Sequence, residues 1–552
     1  MKTPRLFVPI ALGVTLVYAV VTRLVGFFQV YHQDEYKWAL AANPSYGMGG
    51  TIPHPFLARF LYEHIGGVIG YDHLRALPIV ASLAILALLY VYVKRVYGKG
   101  EALTAVIVYS ITAYALIGSV QIDIDGAFLP LMALLSIMAY THWVGATTGA
   151  QKRKYLLLLA ISIAIGFMFK LSFILVPAVL ALHQLFVRKE MVLRFLKRKD
   201  VRYAGMGILV LAILVFALLW NHVMFLRYVD NFISLSGRDY GQVLFQSVKS
   251  LFYLSPLIPI GILLGWRHRK DLLVWYLFLL VNVAFYYVVF DFTHRTFDRY
   301  LLFIVLPGAV IAGVAYTRLL RTTSPRVFGA AFGIITLVLG GITAFLLTLP
   351  HRVIPLIPKS AYIEAITSGK WNFLLPLTGG SGPLGFYVPV DVLLFLWGIA
   401  GVGLVLLFVS RTRVLALVLI LSASFVHSAL VTTEYLTGHF YGSSSTVVHT
   451  LMEAVDTLPA GVTVLTYNDI GAYELYGRGR YAGRFYPHPS FVEGNVERLS
   501  HHTGRYLVVN IPELNPDSVY GRYFSTCKVE AFAENGKITG SLLDCTGQTL
   551  GD

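Results

Sequence analysis

The chain has 552 residues, of which 57% are hydrophobic and 13% are charged. Soluble globular proteins carry about 25% charged residues, so the composition excludes that class. The net charge of +15 belongs to the apolar part of the chain, because the tail from Thr432 onward holds more Asp and Glu than Lys and Arg. The charge therefore gives no support to a nucleic-acid-binding function.

Apolar runs recur from the N-terminus to about position 430, each near the roughly 20 residues that cross a bilayer as a helix. Lipid offers no partner to backbone polar groups, so we predict an α-helical polytopic membrane protein. The first run lacks a clear small-residue cleavage site, and we interpret it as a helix and not as a signal peptide. The thirteen predicted spans are residues 6–26, 76–93, 102–119, 126–143, 155–169, 171–187, 204–226, 250–266, 272–290, 300–317, 327–348, 389–409 and 414–431.

Lys and Arg are concentrated in every second connection between these spans, from Lys2 and Arg5 to Arg411 and Arg413. By the positive-inside rule these connections are cytoplasmic. The N-terminus is then cytoplasmic and, with an odd number of spans, the C-terminal part is extracytoplasmic. We predict a multi-pass protein of the plasma or cytoplasmic membrane, with a transmembrane catalytic domain over 1–431 and a small extracytoplasmic α/β domain over 432–552.

The tail is predicted to contain a helix at residues 447–458 and strands at 462–467 and 506–511, an alternation typical of a βαβ layer. Asp469-Ile470-Gly471 follows the first of these strands and is interpreted as a turn.

The only two cysteines, Cys527 and Cys545, flank two strand-like runs joined by Asn535-Gly536, a favourable hairpin turn. A hairpin would bring the two thiols close together. We therefore expect a disulfide bond in an oxidising compartment, with two unpaired thiols as the alternative.

An adjacent carboxylate pair, Asp34-Glu35, follows the first span in the predicted external loop. In a structural interpretation, Asp34 caps a short helix through Ala42, and its carboxylate meets free backbone N–H groups. In a catalytic interpretation, the pair supplies the base that a membrane enzyme needs to activate a hydroxyl group. The two interpretations are compatible. In the same loop, prolines flank His54 and hold it in an extended segment. Without the neighbouring motifs, His54 would be interpreted as a surface histidine in a turn.

A second acidic turn, Asp123-Ile124-Asp125, opens the fourth span on the same side of the membrane. In a helix these two carboxylates would point about 200° apart, so we expect one of them to be functional, with a polar cap as the alternative. Lys170 lies between two short apolar runs, where an ammonium group must find water, lipid phosphate or a carboxylate. We favour a phosphate contact over snorkelling to the interface.

Two arginines, Arg295 and Arg299, lie with His294 in the predicted external turn before the tenth span. External arginines oppose the positive-inside trend. The planar guanidinium offers two donors at once and suits a phosphate, whereas the alternative role is an interfacial anchor.

These features form an ordered set of short motifs: Asp34-Glu35, His54-Pro55-Phe56-Leu57, Arg75 before the second span, Asp125-Gly126 at the fourth, Lys170 after a short span and Arg299-Tyr300-Leu301-Leu302. In this order and on one membrane side, they resemble the GT-C glycosyltransferases of the protein O-mannosyltransferase and lipid A aminoarabinose-transferase type. The resemblance covers roughly residues 1–320. Phe56 departs from the proline usual in that family. Asp125 fits the second acidic motif better than Asp123.

The resemblance implies transfer of a sugar from a polyprenyl- or dolichyl-phosphate donor to an acceptor hydroxyl on a protein, lipid or glycan, with inversion. Asp34 would be the general base, with Glu35 supporting it and Asp125 completing the catalytic set. Lys170, Arg299 and Arg295 would hold the donor phosphate, which leaves as a stable anion and needs cations more than a proton. His54 and Asp123 would contact substrate.

The sequence leaves open whether the protein binds a divalent metal ion. Asp34, Glu35, His54 and Asp125 could supply ligands, but their spacing is not diagnostic of a metal site. Three other functions also stay open. A secondary transporter would show internal repeats and broken helices, and no repeat is evident. An oligosaccharyltransferase would need a diphosphate-linked donor and a larger tail. The third is a membrane-anchored binding protein whose active part is the tail.

Overall fold

The structure, a computed structural model, describes residues 7–46, 56–190, 239–288, 302–355, 357–358, 360–377, 385–486, 495, 497–499 and 501–548. The predicted seventh span, 204–226, lies outside these residues. The helices before that gap are α1 Phe7–Phe27, α2 Gln33–Ala42, α3 Phe56–Ile69, α4 Ala76–Val96, α5 Lys99–Ile111, α6 Ala113–Ser119, α7 Phe128–Gly145, α8 Gly149–Phe169 and α9 Leu175–Val187.

Eleven further helices follow: α10 Tyr240–Tyr253, α11 Leu257–Gly265, α12 Leu273–Val288, α13 Leu302–Leu320, α14 Pro325–Leu347, α15 Ser360–Thr367, α16 Val390–Leu406, α17 Arg413–Thr437, α18 Ser444–Asp456, α19 Ala472–Gly477 and α20 Val519–Ser525. Within the described ranges, five helices are long and apolar enough to cross a membrane, or seven if two bent pairs each count as one span. The chain is an integral membrane protein. The number of thirteen spans stays a prediction.

Two of the predicted continuous spans are bent. The run at 102–119 is divided between α5 and α6, which meet at 68°. Thr112 at the break has an extended backbone, and its hydroxyl donates to the Val108 carbonyl at 2.6 Å. The run at 250–266 is divided at 100° between α10 and α11. Pro256 follows that break, and the residue before a proline is disfavoured in a helix.

The C-terminal region, residues 444–548, is built on a five-stranded sheet of order β5-β4-β6-β8-β7. Strand β4 pairs in parallel with β5 and β6, and β8 runs antiparallel to both β6 and β7. The strands are β4 Val464–Tyr467, β5 Tyr481–Phe485, β6 Arg505–Val509, β7 Lys528–Asn535 and β8 Ile538–Asp544. The predicted helix and strands of the tail are confirmed. The division of the chain at residue 431 stays a prediction.

The predicted hairpin of the C-terminal region is also confirmed. Strands β7 and β8 pair from Lys528 to Asn535, and Gly536 in the turn has a φ of 63°. Cys527 and Cys545, at the open end of the hairpin, form the expected disulfide bond. A smaller three-stranded sheet lies between α14 and α16 and contains β1 Arg352–Val353, β2 Phe373–Leu377 and β3 Phe386–Pro389.

Candidate functional site

Helix α2 carries the adjacent carboxylates. It begins at Gln33, with His32 as its N-cap residue, so Asp34 lies inside the first turn and is not the cap. The structural interpretation of Asp34 as a cap is therefore wrong. The cap interaction comes instead from Glu35, whose Oε2 accepts from the backbone N–H of His32 at 2.9 Å. The side chain of Asp34 is outside the part that the structure describes.

Glu35 is a buried carboxylate whose oxygens accept four hydrogen bonds. Its Oε1 accepts from Arg75 Nε at 2.8 Å and from the backbone N–H of Ile122 at 2.9 Å. Its Oε2 accepts from Arg75 Nη2 at 2.6 Å as well as from His32. The four acceptor positions of a carboxylate are thus all used. Glu35 therefore fixes α2 against Arg75 and against the turn that contains Ile122.

Arg75, just before α4, binds the chain that leads from α1 into α2. Its Nη1 donates to the carbonyls of Gly26 at 3.1 Å and of Gln29, and its Nη2 donates to Val30 at 2.9 Å. Its guanidinium lies 5.0 Å from the centre of the Tyr31 ring. Sequence reasoning placed Arg75 in a motif but did not assign it a partner, because Glu35 is 40 residues away.

The second acidic turn, residues 121–127, separates Asp123 from Asp125. Asp123 Oδ1 accepts from the backbone N–H of the next residue at 2.6 Å. Asp125 points elsewhere, toward Lys170. The turn lies tightly on the end of α6: a Cβ at Gly126 would come within 2.1 Å of the Gly118 carbonyl oxygen. Only glycine allows that approach, so Gly126 fixes where Asp125 can lie.

Asp125 and Lys170 form the second ion pair of the site, which is partly buried. Both carboxylate oxygens of Asp125 lie 2.7 Å from Lys170 Nζ. Lys170 ends α8 in an extended conformation, and its N–H donates to Gly166 at 3.0 Å. A Cβ at Gly166 would lie 2.2 Å from the Phe173 ring, which packs beneath this break. The predicted position of Lys170 between two helices is confirmed.

A cavity opens beside this ion pair. Asp125, Ser172, Asn282 and Tyr286 supply its polar lining, and α7, α9, α12 and α13 supply apolar walls. Asn282 is buried in α12 and donates from Nδ2 to the Phe278 carbonyl at 2.8 Å. Sequence reasoning missed Asn282 and Tyr286. The available signal was an amide inside an apolar run, since polar groups at membrane depth usually face a cavity or a neighbouring helix.

The turn at 121–127 brings part of the predicted site together. Its Ile122 N–H binds Glu35, and its Asp125 carboxylate binds Lys170. Asp123 lies between them, and the Tyr62 hydroxyl donates to its backbone carbonyl at 3.3 Å. The catalytic and binding roles of these residues stay predictions.

His54, Arg295 and Arg299, with the neighbouring His294, lie outside the described residues.

The described side chains do not by themselves form a metal site. Within the described ranges, no three His, Cys, Asp or Glu side chains converge. Glu35 has no acceptor position left, and both oxygens of Asp125 face an ammonium group. A cation such as Zn²⁺ or Mg²⁺ would have to displace those donors.

The chain resembles known membrane proteins both in part of its sequence and in its fold. Residues 53–220 match the family model described as dolichyl-phosphate-mannose-protein mannosyltransferase. ArnT from Cupriavidus metallidurans, in a crystal structure bound to undecaprenyl phosphate, is similar with a TM-score of 0.55 and 13% identity, over 96% of this chain and 98% of that one. The same protein in the apo state gives a TM-score of 0.52 and 14% identity, over 96% and 97%. No curated protein sequence matches the chain significantly.

The matched segment contains Arg75, Asp123, Asp125 and Lys170, which are the described centre of the site. The structural similarity extends over nearly the whole of both chains and shows a shared fold. The sequence match over residues 53–220 and the shared fold together support the resemblance of the chain to membrane glycosyltransferases of the GT-C type.

Proposed function

We propose that the protein transfers a sugar from a polyprenyl- or dolichyl-phosphate donor to an acceptor hydroxyl on the extracytoplasmic side of the membrane, with inversion. The observation that carries this proposal is the Asp125–Lys170 pair at the edge of an apolar-walled cavity. A lipid-linked phosphate has the matching chemistry, with an anionic group beside the ammonium and a hydrocarbon tail among the helices.

The comparisons support the donor class. The matched family is described by its use of dolichyl-phosphate mannose, and the ArnT structure contains undecaprenyl phosphate. Both are lipid monophosphates. For this chain, Lys170 would contact the donor phosphate, assisted by Arg299 and Arg295. Lys170 suits this role because 19% of its side chain is exposed, compared with 7% for Asp125.

The proposed reaction is a direct displacement at the anomeric carbon. The acceptor oxygen forms a bond to that carbon, and the bond from the carbon to the phosphate oxygen breaks. The electron pair leaves with the lipid phosphate, which departs as an anion held by cationic side chains. The acceptor proton passes to the Asp34 carboxylate, on the face opposite the leaving group, as inversion requires.

Glu35 would support Asp34 and not act in its place. All acceptor positions of Glu35 are occupied by Arg75, Ile122 and His32, so it has no position free for a proton from an acceptor. Its effect would be to fix the first turn of α2, where Asp34 lies. His54 and Asp123 are proposed to contact substrate.

The test is sugar transfer in membranes that contain the full-length protein, supplied with radiolabelled polyprenyl-phosphate sugars. We expect Asp34→Asn to lower kcat by about 10²–10⁴-fold, the usual contribution of a general base. The matched control is Glu63→Gln, which changes an exposed carboxylate of α3 that only approaches Arg59 at 3.9 Å. Full activity in Asp34→Asn would remove Asp34 as the base. No transfer by the wild-type protein from any lipid monophosphate sugar would contradict the proposed donor class.

A further inference from the structure

Helix α2 is enclosed between the membrane helices and the C-terminal region. On one face, Trp38, Ala39 and Ala42 belong to the main apolar core of the membrane helices. On the other face, Tyr36 and Leu40 pack in a separate cluster with Ala472 at the start of α19. The helix that carries Asp34 is therefore held from both sides, and one side is supplied by residues more than 400 positions away.

Tyrosines of the C-terminal region cover Tyr36. The hydroxyl groups of Tyr36 and Tyr481 are 3.5 Å apart, and the rings of Tyr36 and Tyr476 are 6.3 Å apart. Tyr481 is fixed in turn by Asp469, whose Oδ1 accepts from its hydroxyl at 3.2 Å. Asp469 is fully buried and also pairs with Arg484. Its carboxylate therefore organises the surface that faces α2.

The backbone at Asp469 supports this assignment. Asn468 and Asp469 have φ angles of 59° and 62°, in the left-handed region that non-glycine residues seldom adopt. Such a conformation costs free energy and persists where the surroundings hold it. The turn predicted at 469–471 is confirmed. It leads directly into α19, which packs against α2.

The C-terminal region also binds the segment that leads into α2. The Val30 N–H donates to Ser445 Oγ at 2.9 Å. The rings of Tyr31 and Tyr473 are 4.7 Å apart, and the Tyr473 hydroxyl donates to Asp72 Oδ1 at 2.8 Å. Arg75 holds the carbonyls of this segment from the membrane side, so Ser445 and Tyr473 complete a clamp on residues just before α2.

Glu474, the next residue of α19, faces the same segment. Its Oε2 is buried and makes no hydrogen bond within the described ranges. Burial raises the pKa of Glu474 to about 7, a rise opposed by the Arg75 guanidinium and the Tyr31 backbone N–H. A buried carboxyl group of the C-terminal region therefore faces the segment whose carbonyls Arg75 binds.

We propose that the C-terminal region positions α2 for catalysis, with Ser445, Tyr473 and Glu474 as positioning residues that act through residues 30–31. The expected effect on catalysis rests on the proposed function, because α2 carries the proposed base. The expected effect on how firmly the start of α2 is held does not depend on which reaction the protein catalyses.

The experiment measures backbone hydrogen exchange of residues 29–36 in the full-length protein in lipid nanodiscs. We expect Tyr473→Ala and Glu474→Ala to speed exchange about ten-fold, because the local opening of this segment becomes easier. Tyr473→Phe keeps the ring and should speed it less. In the transfer assay, the two alanine variants should lower kcat by up to about 100-fold with KM nearly unchanged, as a small misplacement of a catalytic group does.

Glu453→Ala is the control, since Glu453 is exposed on α18 and should alter neither measurement. Unchanged exchange at residues 29–36 in both alanine variants would overturn the inference, even if activity fell. Faster exchange with unchanged kcat would also overturn it, because α2 would then need no positioning. If the wild-type protein transfers no sugar, the proposed function fails, and the exchange measurement still decides whether the C-terminal region holds α2.

Discussion

Two ion pairs meet at the 121–127 turn, and they differ in how completely they are enclosed. In Glu35–Arg75, both side chains are at most 4% exposed, and every acceptor position of the carboxylate is used. In Asp125–Lys170, 19% of the lysine side chain is exposed and a cavity opens beside the carboxylate. The first pair is part of the scaffold, whereas in the proposed function the second gives up part of its contact to bind the donor phosphate.

This difference separates effects on stability from effects on activity. Removing one member of an enclosed pair leaves a charge with no water to solvate it. Removing one member of a pair beside a cavity leaves a charge that water can reach. We therefore expect variants at Glu35–Arg75 to unfold the protein, and variants at Asp125–Lys170 to weaken donor binding.

The largest effect is expected for Arg75→Ala. The variant leaves the buried Glu35 carboxylate unpaired and frees the carbonyls of Gly26 and Val30, at a cost of about 3–5 kcal/mol. Thermal unfolding of the protein in detergent measures this loss of stability. The control is Arg318→Ala, because Arg318 pairs with Asp271, whose side chain is 56% exposed. This variant should lower the free energy of unfolding by about 1 kcal/mol or less. An equal loss of stability in both variants would abolish the contrast between the pairs.

The next effect is expected for Lys170→Ala, in the transfer assay and not in unfolding. Loss of a charge-assisted contact to phosphate should lower the apparent affinity for the donor by about 10–100-fold, equivalent to about 1.5–3 kcal/mol. The measurement is KM for the lipid-phosphate sugar. Lys152→Ala, in the basic start of α8, is the control. A donor KM equal to that of the wild-type protein would show that Lys170 serves only Asp125.

A smaller effect is expected for Gly126→Ala, which tests the turn that connects the two pairs. The new methyl group would overlap the Gly118 carbonyl oxygen, so the turn must shift, at a cost of about 1–3 kcal/mol. The comparison is Gly145→Ala at the end of α7, where a Cβ meets nothing within 4 Å. Thermal unfolding and the transfer assay should both report the shift. If the two glycine variants behave alike, the turn tolerates movement and does not fix Asp125.

The smallest effect is a pH dependence from Glu474. Its folded-state pKa, about 7, is above the ordinary 4.5, so its contribution to stability is complete below about pH 4.5 and is lost as pH rises through 7. The charges facing it are Arg75 and Arg478. Glu474→Gln cannot ionise and should be more stable than the wild-type protein at pH 8, with a flatter profile between pH 5 and 8. Glu453→Gln is the control. Parallel profiles for the wild-type and Glu474→Gln proteins would show that Glu474 does not titrate in this interface.

The sequence predicted much of the helical framework because apolar length is a local property of the chain. It could not predict the bends at Thr112 and before Leu257, since hydropathy is the same on both sides of a bend. The residues alone left the choice between Asp123 and Asp125 open, and only the family resemblance favoured Asp125. The position of Asp125 depends on the Gly118–Gly126 contact and on Lys170, which lies at the end of another helix.

Contacts between distant segments were the least predictable part of the site. Nothing near Glu35 indicates Arg75 as its partner, and nothing near Tyr36 indicates Tyr481. Truncating the tail would separate a binding function in the tail from catalysis in the membrane helices. In the structure, truncation would also remove the outer partners of α2. Point variants of α19 are therefore the sharper experiment.

The bond between Val30 and Ser445 also has a consequence for biosynthesis. The two residues are 415 positions apart. At about 5–20 residues per second, the ribosome needs about 20 to 80 s to make the intervening chain. During that time α2 has been synthesised, but its outer partners do not yet exist. The enclosed form of α2 is therefore completed only after translation has passed Tyr481 in β5, so a nascent chain inserted in the membrane should remain without the proposed activity until then.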